Sequence, residues 1–366
     1  MTGSMRLAPI ALLVLGAIDA AGYSVIAPTV PAIARAEDAG PAVMGALVAS
    51  FAAGTLVGYF LAGLVVARRG VRVALLIGIA LIALGSLAFV LEGGLGAYFV
   101  GRVTMGLGSG GLWIALTLAT IERSPGREYV QMSRLLAAYS VGALLGPALA
   151  ALGGIRAPFL AYLLLVAASI PLVFALGDPA ATKRLGSDRR ILRLPGFWLA
   201  GGGVLFAILA LGVVEGVLPL HFASALSQAQ VAGLLVGTSL VVGTSAVAAG
   251  AGRPRPLLAA SLVLAVVGIG LAGAGSGVGL WLPALGLAGL GIGLGETAAA
   301  GILLDQVGTQ RLVTAMVVWS QLGLLGYMVG PLAGGAVAAG LGYDWLVLVP
   351  LAAGAPVAVA LGLSRR

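Results

Sequence analysis

Four ionisable side chains stand inside otherwise apolar runs of the 366-residue sequence: Asp19, Arg102, Glu215 and Glu296. A charge at the centre of a membrane-spanning helix costs about 2.5–3.5 kcal/mol on insertion scales, so such residues persist where they bind, pair or carry protons. Three acids against one base leave room for a cation, whereas an anion site would call for the reverse excess. The protonation of a buried carboxylate depends on its burial and on charges within reach, so acids near Arg102 can take up or release a proton as their surroundings change. A cation and a proton would compete for one carboxylate, and exchange follows from the shared site. The competing reading is structural: a buried ion pair that fixes helix packing or, for Arg102 about one turn into its run, a long side chain reaching back to the interface.

Aromatic residues in the same runs could hold an amine by cation–π contact. Tyr23 follows Asp19 by one helical turn, and Phe51, Trp113, Tyr139, Trp319 and Tyr327 are further candidates, although aromatics in apolar helices also serve as plain packing. His221, the only histidine, reads as a loop or interfacial residue. With one histidine and no cysteine, disulfides and cysteine metal sites are excluded, and no metal or cofactor is expected. No loop Ser/His/Asp arrangement appears, so an enzyme is not expected.

These residues must be held by helices in lipid. The chain is 60% hydrophobic and 9% charged, with a mean hydropathy of +1.13, which excludes a water-soluble domain. At about 20 residues per span, its length allows roughly twelve crossings. Apolar runs bounded by charges, Pro and Gly place them near 7–30, 42–66, 73–91, 97–120, 129–152 and 157–176, then 196–219, 228–250, 256–275, 279–303, 312–339 and 343–363. The first run reads as a retained helix, not a cleaved signal. The fold class expected is an all-α membrane protein of two six-helix bundles, residues 1–176 and 196–366, joined by a cytoplasmic linker at 177–195.

The net charge of +8 is explained by topology. With twelve spans and a cytoplasmic N-terminus, every Lys and Arg except Arg35, Arg102 and Arg156 falls at the cytoplasmic ends and loops, seventeen of twenty. The positive-inside rule then puts both termini in the cytoplasm, and nucleic acid is not an expected partner. The 59 glycines suit close helix contact in lipid. The halves resemble each other: Gly142-x-x-x-Gly146-Pro147 recurs as Gly326-x-x-x-Gly330-Pro331, and the basic turn of Arg68, Arg69 and Arg72 recurs as Arg253 and Arg255. Small residues bring helices together and proline bends them, so these motifs predict matched gating helices in two repeats that rock about a central site.

Those motifs resemble the major facilitator superfamily, and within it the twelve-helix drug:proton antiporter branch. Arg102-Val-Thr-Met-Gly106-Leu-Gly108 is similar to that branch's fourth-helix pattern, with Met105 where Gln is usual. Gly142, Gly146 and Pro147 match its fifth-helix antiporter motif, with Ala150 and Ala151 in place of two glycines. Gly63 to Gly70 is a version of the loop signature that lacks the usual Asp. A narrower resemblance, to the vesicular amine (monoamine) transporters, rests on Asp19 with Pro28 and Pro31, Glu215 with Pro219, Glu296 in its glycine run, and Gly326 to Pro331. It implies that Asp19 meets a substrate ammonium, that Glu215 helps to bind it, and that Glu296 carries a coupling proton. Ala20, Phe51 and Ser320 stand where the amine carriers have Asn, Lys and an acid. The expectation is a monomeric proton-coupled antiporter that exports amines, drugs or other cationic or amphiphilic small molecules across a bacterial inner membrane, with protons, substrate and membrane lipid as its partners. Import or uniport of another solute, or a non-transporting receptor, stays open on the residues alone.

Overall fold

Hydrocarbon offers no hydrogen-bond partners, so an apolar chain must close its backbone bonds within helices or a barrel. The computed structural model describes residues 4–123, 128–176, 189–194, 196–250, 252–307 and 312–363, and these are helices and short connections without a strand. Most of the expected linker, Arg127, Lys183, Arg184, Arg311, Arg365 and Arg366 lie outside the described residues.

The helices of the first half are α1 (Ser4–Ser24), α2 (Val30–Ala36), α3 (Pro41–Arg69), α4 (Val71–Val90), α5 (Gly94–Glu122), α6 (Glu128–Ala150) and α7 (Arg156–Ala175). The second half has α8 (Phe197–Gly216), α9 (Leu218–Phe222), α10 (Gln228–Ala249), α11 (Pro254–Ala274), α12 (Val278–Leu304), α13 (Leu312–Gly340) and α14 (Leu348–Leu363). Joined across their breaks, they make twelve segments long and apolar enough to cross a membrane among the described residues. Their ends agree with the expected spans to within a few residues, with one larger difference. The first span runs from Ala8 to Ala36 rather than ending near residue 30. Pro28 and Pro31 break it, but Pro31 stands at the start of α2, where a missing N–H costs nothing, so the chain re-enters a helix.

The chain divides into two compact units, Met1–Glu37 with Ser50–Arg184, and Asp38–Ala49 with Leu185–Arg366. In the first, α1 lies on α6, α4 lies on α5, and α7 lies on α4. In the second, α8 lies on α13, α11 lies on α12, and α14 lies on α11. The sequential counterparts pair in the same way in each unit. The repeated glycines sit in the first of these contacts. On α6, a Cβ at Gly142 would strike the Ala17 carbonyl, and one at Gly146 the Ser24 hydroxyl. On α13, a Cβ at Gly326 would strike the Leu205 carbonyl, and one at Gly330 that of Leu209. Pro147 and Pro331 lie within these two helices, and the Pro331 ring fills the space left by Gly212 and Gly216 on α8.

His221 sits in α9, not in a loop. It stacks on Tyr343 with ring centroids 4.7 Å apart and meets Trp281 edge-on at 5.5 Å. Its Nε2 and Trp281 Nε1 lie 2.9 and 2.8 Å from the Gly275 carbonyl. A carbonyl only accepts, so the Nε2 tautomer is the one that carries the proton.

Candidate functional site

Asp19 lies in α1 and is 2% exposed. Tyr139 of α6 donates its hydroxyl to Asp19 Oδ2 at 2.5 Å, a length typical of a charge-assisted bond. The close α1–α6 approach puts that hydroxyl there: Gly16, three residues before Asp19, leaves room for the Leu135 and Tyr139 side chains. Ser109 of α5 stands beside the carboxyl group. Tyr59 of α3 and Tyr162 of α7 are within its electrostatic reach. Gly22, almost one turn beyond Asp19, has no side chain to collide with the Tyr162 hydroxyl. Trp113, one turn along α5 from Ser109, meets the Tyr139 ring edge-on, with centroids 4.9 Å apart. Asp19 Oδ1, by contrast, accepts no hydrogen bond among the described residues.

A carboxylate lined by hydroxyls and π-faces, with one oxygen left to pair, is suited to an ammonium group: charge meets the carboxylate while alkyl or aryl parts lie on the rings. Tyr139→Phe removes the donor to Oδ2 and keeps the ring. Because hydrogen bonds to charged groups contribute about 1.5–3 kcal/mol, binding of a cationic ligand that uses this carboxylate is expected to change by roughly tenfold or more, read by titration of the purified protein.

Arg102 is fully buried. It donates to the Gly22 carbonyl at 3.2 Å and to the Tyr23 carbonyl at 3.4 Å, and its guanidinium lies 4.4 Å from the centre of the Phe51 ring. Both carbonyls belong to the last turn of α1, where the helix dipole favours positive charge. Arg102 thus caps α1. Tyr23, part-buried on the same turn, takes part through its carbonyl.

The remaining expected residues lie in the second unit. Glu215, 3% exposed on α8, accepts at Oε2 from the Tyr327 hydroxyl of α13 at 2.9 Å. Trp319 is buried on α13, and its Nε1 donates to nothing among the described residues. Glu296 is half-buried on α12, at the end of a glycine run in which Gly291 touches Ala265 of α11 and Gly293 touches Val242 and Ser245 of α10.

Within the first unit, then, Asp19 is joined by Tyr139, which the sequence had suggested together with the Trp113 packed on its ring, and by Tyr59, Ser109 and Tyr162, which it had not. Ser109 could have been found, because it shares a helical face with Arg102 and Trp113. Tyr59 and Tyr162 come from other helices, and no local pattern announces them.

The Major Facilitator Superfamily profile matches residues 12–253. None of the curated proteins matches the sequence. A bacterial homologue of the human lysosomal transporter Spinster, in an inward-facing and occupied conformation, is similar at TM-score 0.73 and 15% identity, over 97% of this chain and 94% of that one. Its unoccupied form gives 0.75 at 15% identity, over 99% and 96%. A POT family transporter in complex with a thioalcohol-conjugated peptide gives 0.77 at 12% identity, over 98% and 96%. At such identities the likeness is one of fold. With two thirds of its length matched by the family profile and twelve apolar helices in place, the chain belongs to the Major Facilitator Superfamily and is a multi-pass membrane transporter.

Proposed function

We propose that the protein is a proton-coupled antiporter that exports cationic or amphiphilic small molecules, amines and drug-like cations among them, by alternating access. The observation that carries this reading is the buried Asp19 carboxyl group, with Oδ2 held by Tyr139, Ser109 beside it, no close hydrogen bond on Oδ1, Tyr59 and Tyr162 within its electrostatic reach, and Trp113 packed on the Tyr139 ring. Such a group can be neutralised by a substrate cation or by a proton but not by both, and that exclusion links outward movement of one to inward movement of the other. Glu215 with Tyr327 is a second place for substrate, and Glu296 is the proposed coupling acid of the second unit. Residues 1–176 and 196–366 are the proposed rocking halves, with the Gly142–Pro147 and Gly326–Pro331 helices as gate elements. The membrane is read as a bacterial inner membrane with both termini in the cytoplasm, on the strength of the basic residues gathered on one side.

The test is transport in liposomes that hold the purified protein under an imposed pH gradient, with uptake of several amines and cationic dyes followed for the wild type and Glu296→Gln. The gradient should drive wild-type uptake, and Glu296→Gln should lose that response. Wild-type flux indifferent to the gradient would refute proton antiport.

A further inference from the structure

Among the described residues, most buried or helical threonines and serines return their hydroxyl to the helix. Thr29, Thr55, Thr104, Thr238 and Thr244 each donate to the carbonyl four residues back, at 2.7–2.9 Å. Thr117 and Thr120 of α5 do not. They are 2% and 4% exposed, and neither hydroxyl has a hydrogen-bond partner among the described residues. A buried polar atom left in this way normally has water beside it.

The two lie on a particular face. At 100° per residue, Ser109, Trp113, Thr117 and Thr120 fall within a sector of about 80° on α5, and the rise from Ser109 to Thr120 is about 16 Å. Ser109 stands beside Asp19, whose Oδ1 is likewise without a partner. At the other end α5 stops at Glu122, and Arg123, just beyond, donates to the Leu176 carbonyl. Two orphaned hydroxyls are therefore spaced along one face of α5 between a buried carboxyl group and the end of the helix.

We infer that this face of α5 is a hydrated polar track, along which a proton passes between Asp19 and the Arg123 end of the helix. The inference rests on the proposed proton coupling and adds its route. The hydroxyls of Thr117 and Thr120 each donate and accept, so each can hold a water on either side and complete a relay that one carboxylate cannot make across this distance. The groups facing Asp19 are Tyr59 from α3, Ser109 from α5, Tyr139 from α6 and Tyr162 from α7, with Arg102 acting on Tyr162. Tyr139 meets α5 at Trp113, and beyond that ring the next polar side chains on this face toward Arg123 are those of Thr117 and Thr120.

The chain has no cysteine, so single cysteines can be placed without removing native ones. Thr117→Cys and Thr120→Cys are expected to react with a small cationic methanethiosulfonate reagent at least tenfold faster than Leu118→Cys, which lies on the opposite face of α5. In liposomes, the double variant Thr117→Val with Thr120→Val keeps the shape and removes the hydroxyls. It should slow amine-driven proton movement at least tenfold and leave equilibrium amine binding within twofold of wild type, and the corresponding double serine variant should restore the rate. Labelling no faster than at Leu118→Cys would overturn the track, and this readout does not depend on the valine variant folding. Wild-type proton movement in a folded double valine variant would also overturn it. A wild-type protein that binds amines but moves no protons would instead refute the coupling on which the track depends.

Discussion

Asp19→Asn is expected to weaken binding of a cationic substrate by at least about 30-fold while the protein still folds. Asn matches Asp in size and can accept the Tyr139 hydroxyl through its own oxygen, so the α1–α6 contact around Tyr139 is preserved. What disappears is the negative charge, and with it the attraction for an ammonium group in a site where water screens little. Removing one partner of a buried, hydrogen-bonded charge pair typically costs 2–5 kcal/mol, about 30-fold to several thousandfold in affinity. The π-faces of Trp113 and the tyrosines remain, so an uncharged analogue of the same shape should bind Asp19→Asn as it binds the wild type. Titration of purified protein with an amine and its neutral isostere separates the two contributions. An amine affinity unchanged by Asp19→Asn would remove this residue from the substrate site. Equal losses for amine and isostere would mean that the substitution disturbs the pocket's shape and not its charge.

The twelve spans were legible because lipid imposes a simple rule: about 20 apolar residues in sequence, interrupted by charges and turn residues. The exception is informative. The run ending near residue 30 was cut at a pair of prolines, but proline is tolerated at the first turn of a new helix, and the span resumes to Ala36. The candidate site was legible where cost made a residue conspicuous, as with Asp19 and Glu215, each of which the structure buries with a tyrosine hydroxyl. Arg102 was conspicuous for the same reason, but its position depended on a feature of another helix. The guanidinium meets the Gly22 and Tyr23 carbonyls in the last turn of α1, beside the break after Ser24. Pro28, four residues after Ser24, was the available clue, since it offers no N–H to continue the ladder. Tyr59 and Tyr162 had none, because their approach to Asp19 is set by how α3 and α7 pack on the unit.

The glycine motifs extend this lesson from the site to the helices that carry it, and they lead to the second large effect. Gly142→Ala and Gly330→Ala should each destabilise the protein by about 1–3 kcal/mol, the usual penalty for overfilling a close contact. The new Cβ would overlap the Ala17 carbonyl in one case and the Leu209 carbonyl in the other. A main-chain oxygen held in a helix cannot swing aside as a side chain does, so the helix pair must separate and lose its neighbouring contacts. Gly237→Ala is the control: it lies in α10, and a Cβ there meets no atom within 4 Å. Alanine's better helix propensity makes that change neutral, or stabilising by up to about 1 kcal/mol. Thermal unfolding of the purified variants should therefore place the midpoints of Gly142→Ala and Gly330→Ala below wild type and that of Gly237→Ala at or above it. If the three behave alike, the motif glycines are not required for close approach. If only one motif variant falls, the α1–α6 and α8–α13 contacts do not bear equivalent loads, and the internal likeness of the two units stops at their helix pairing.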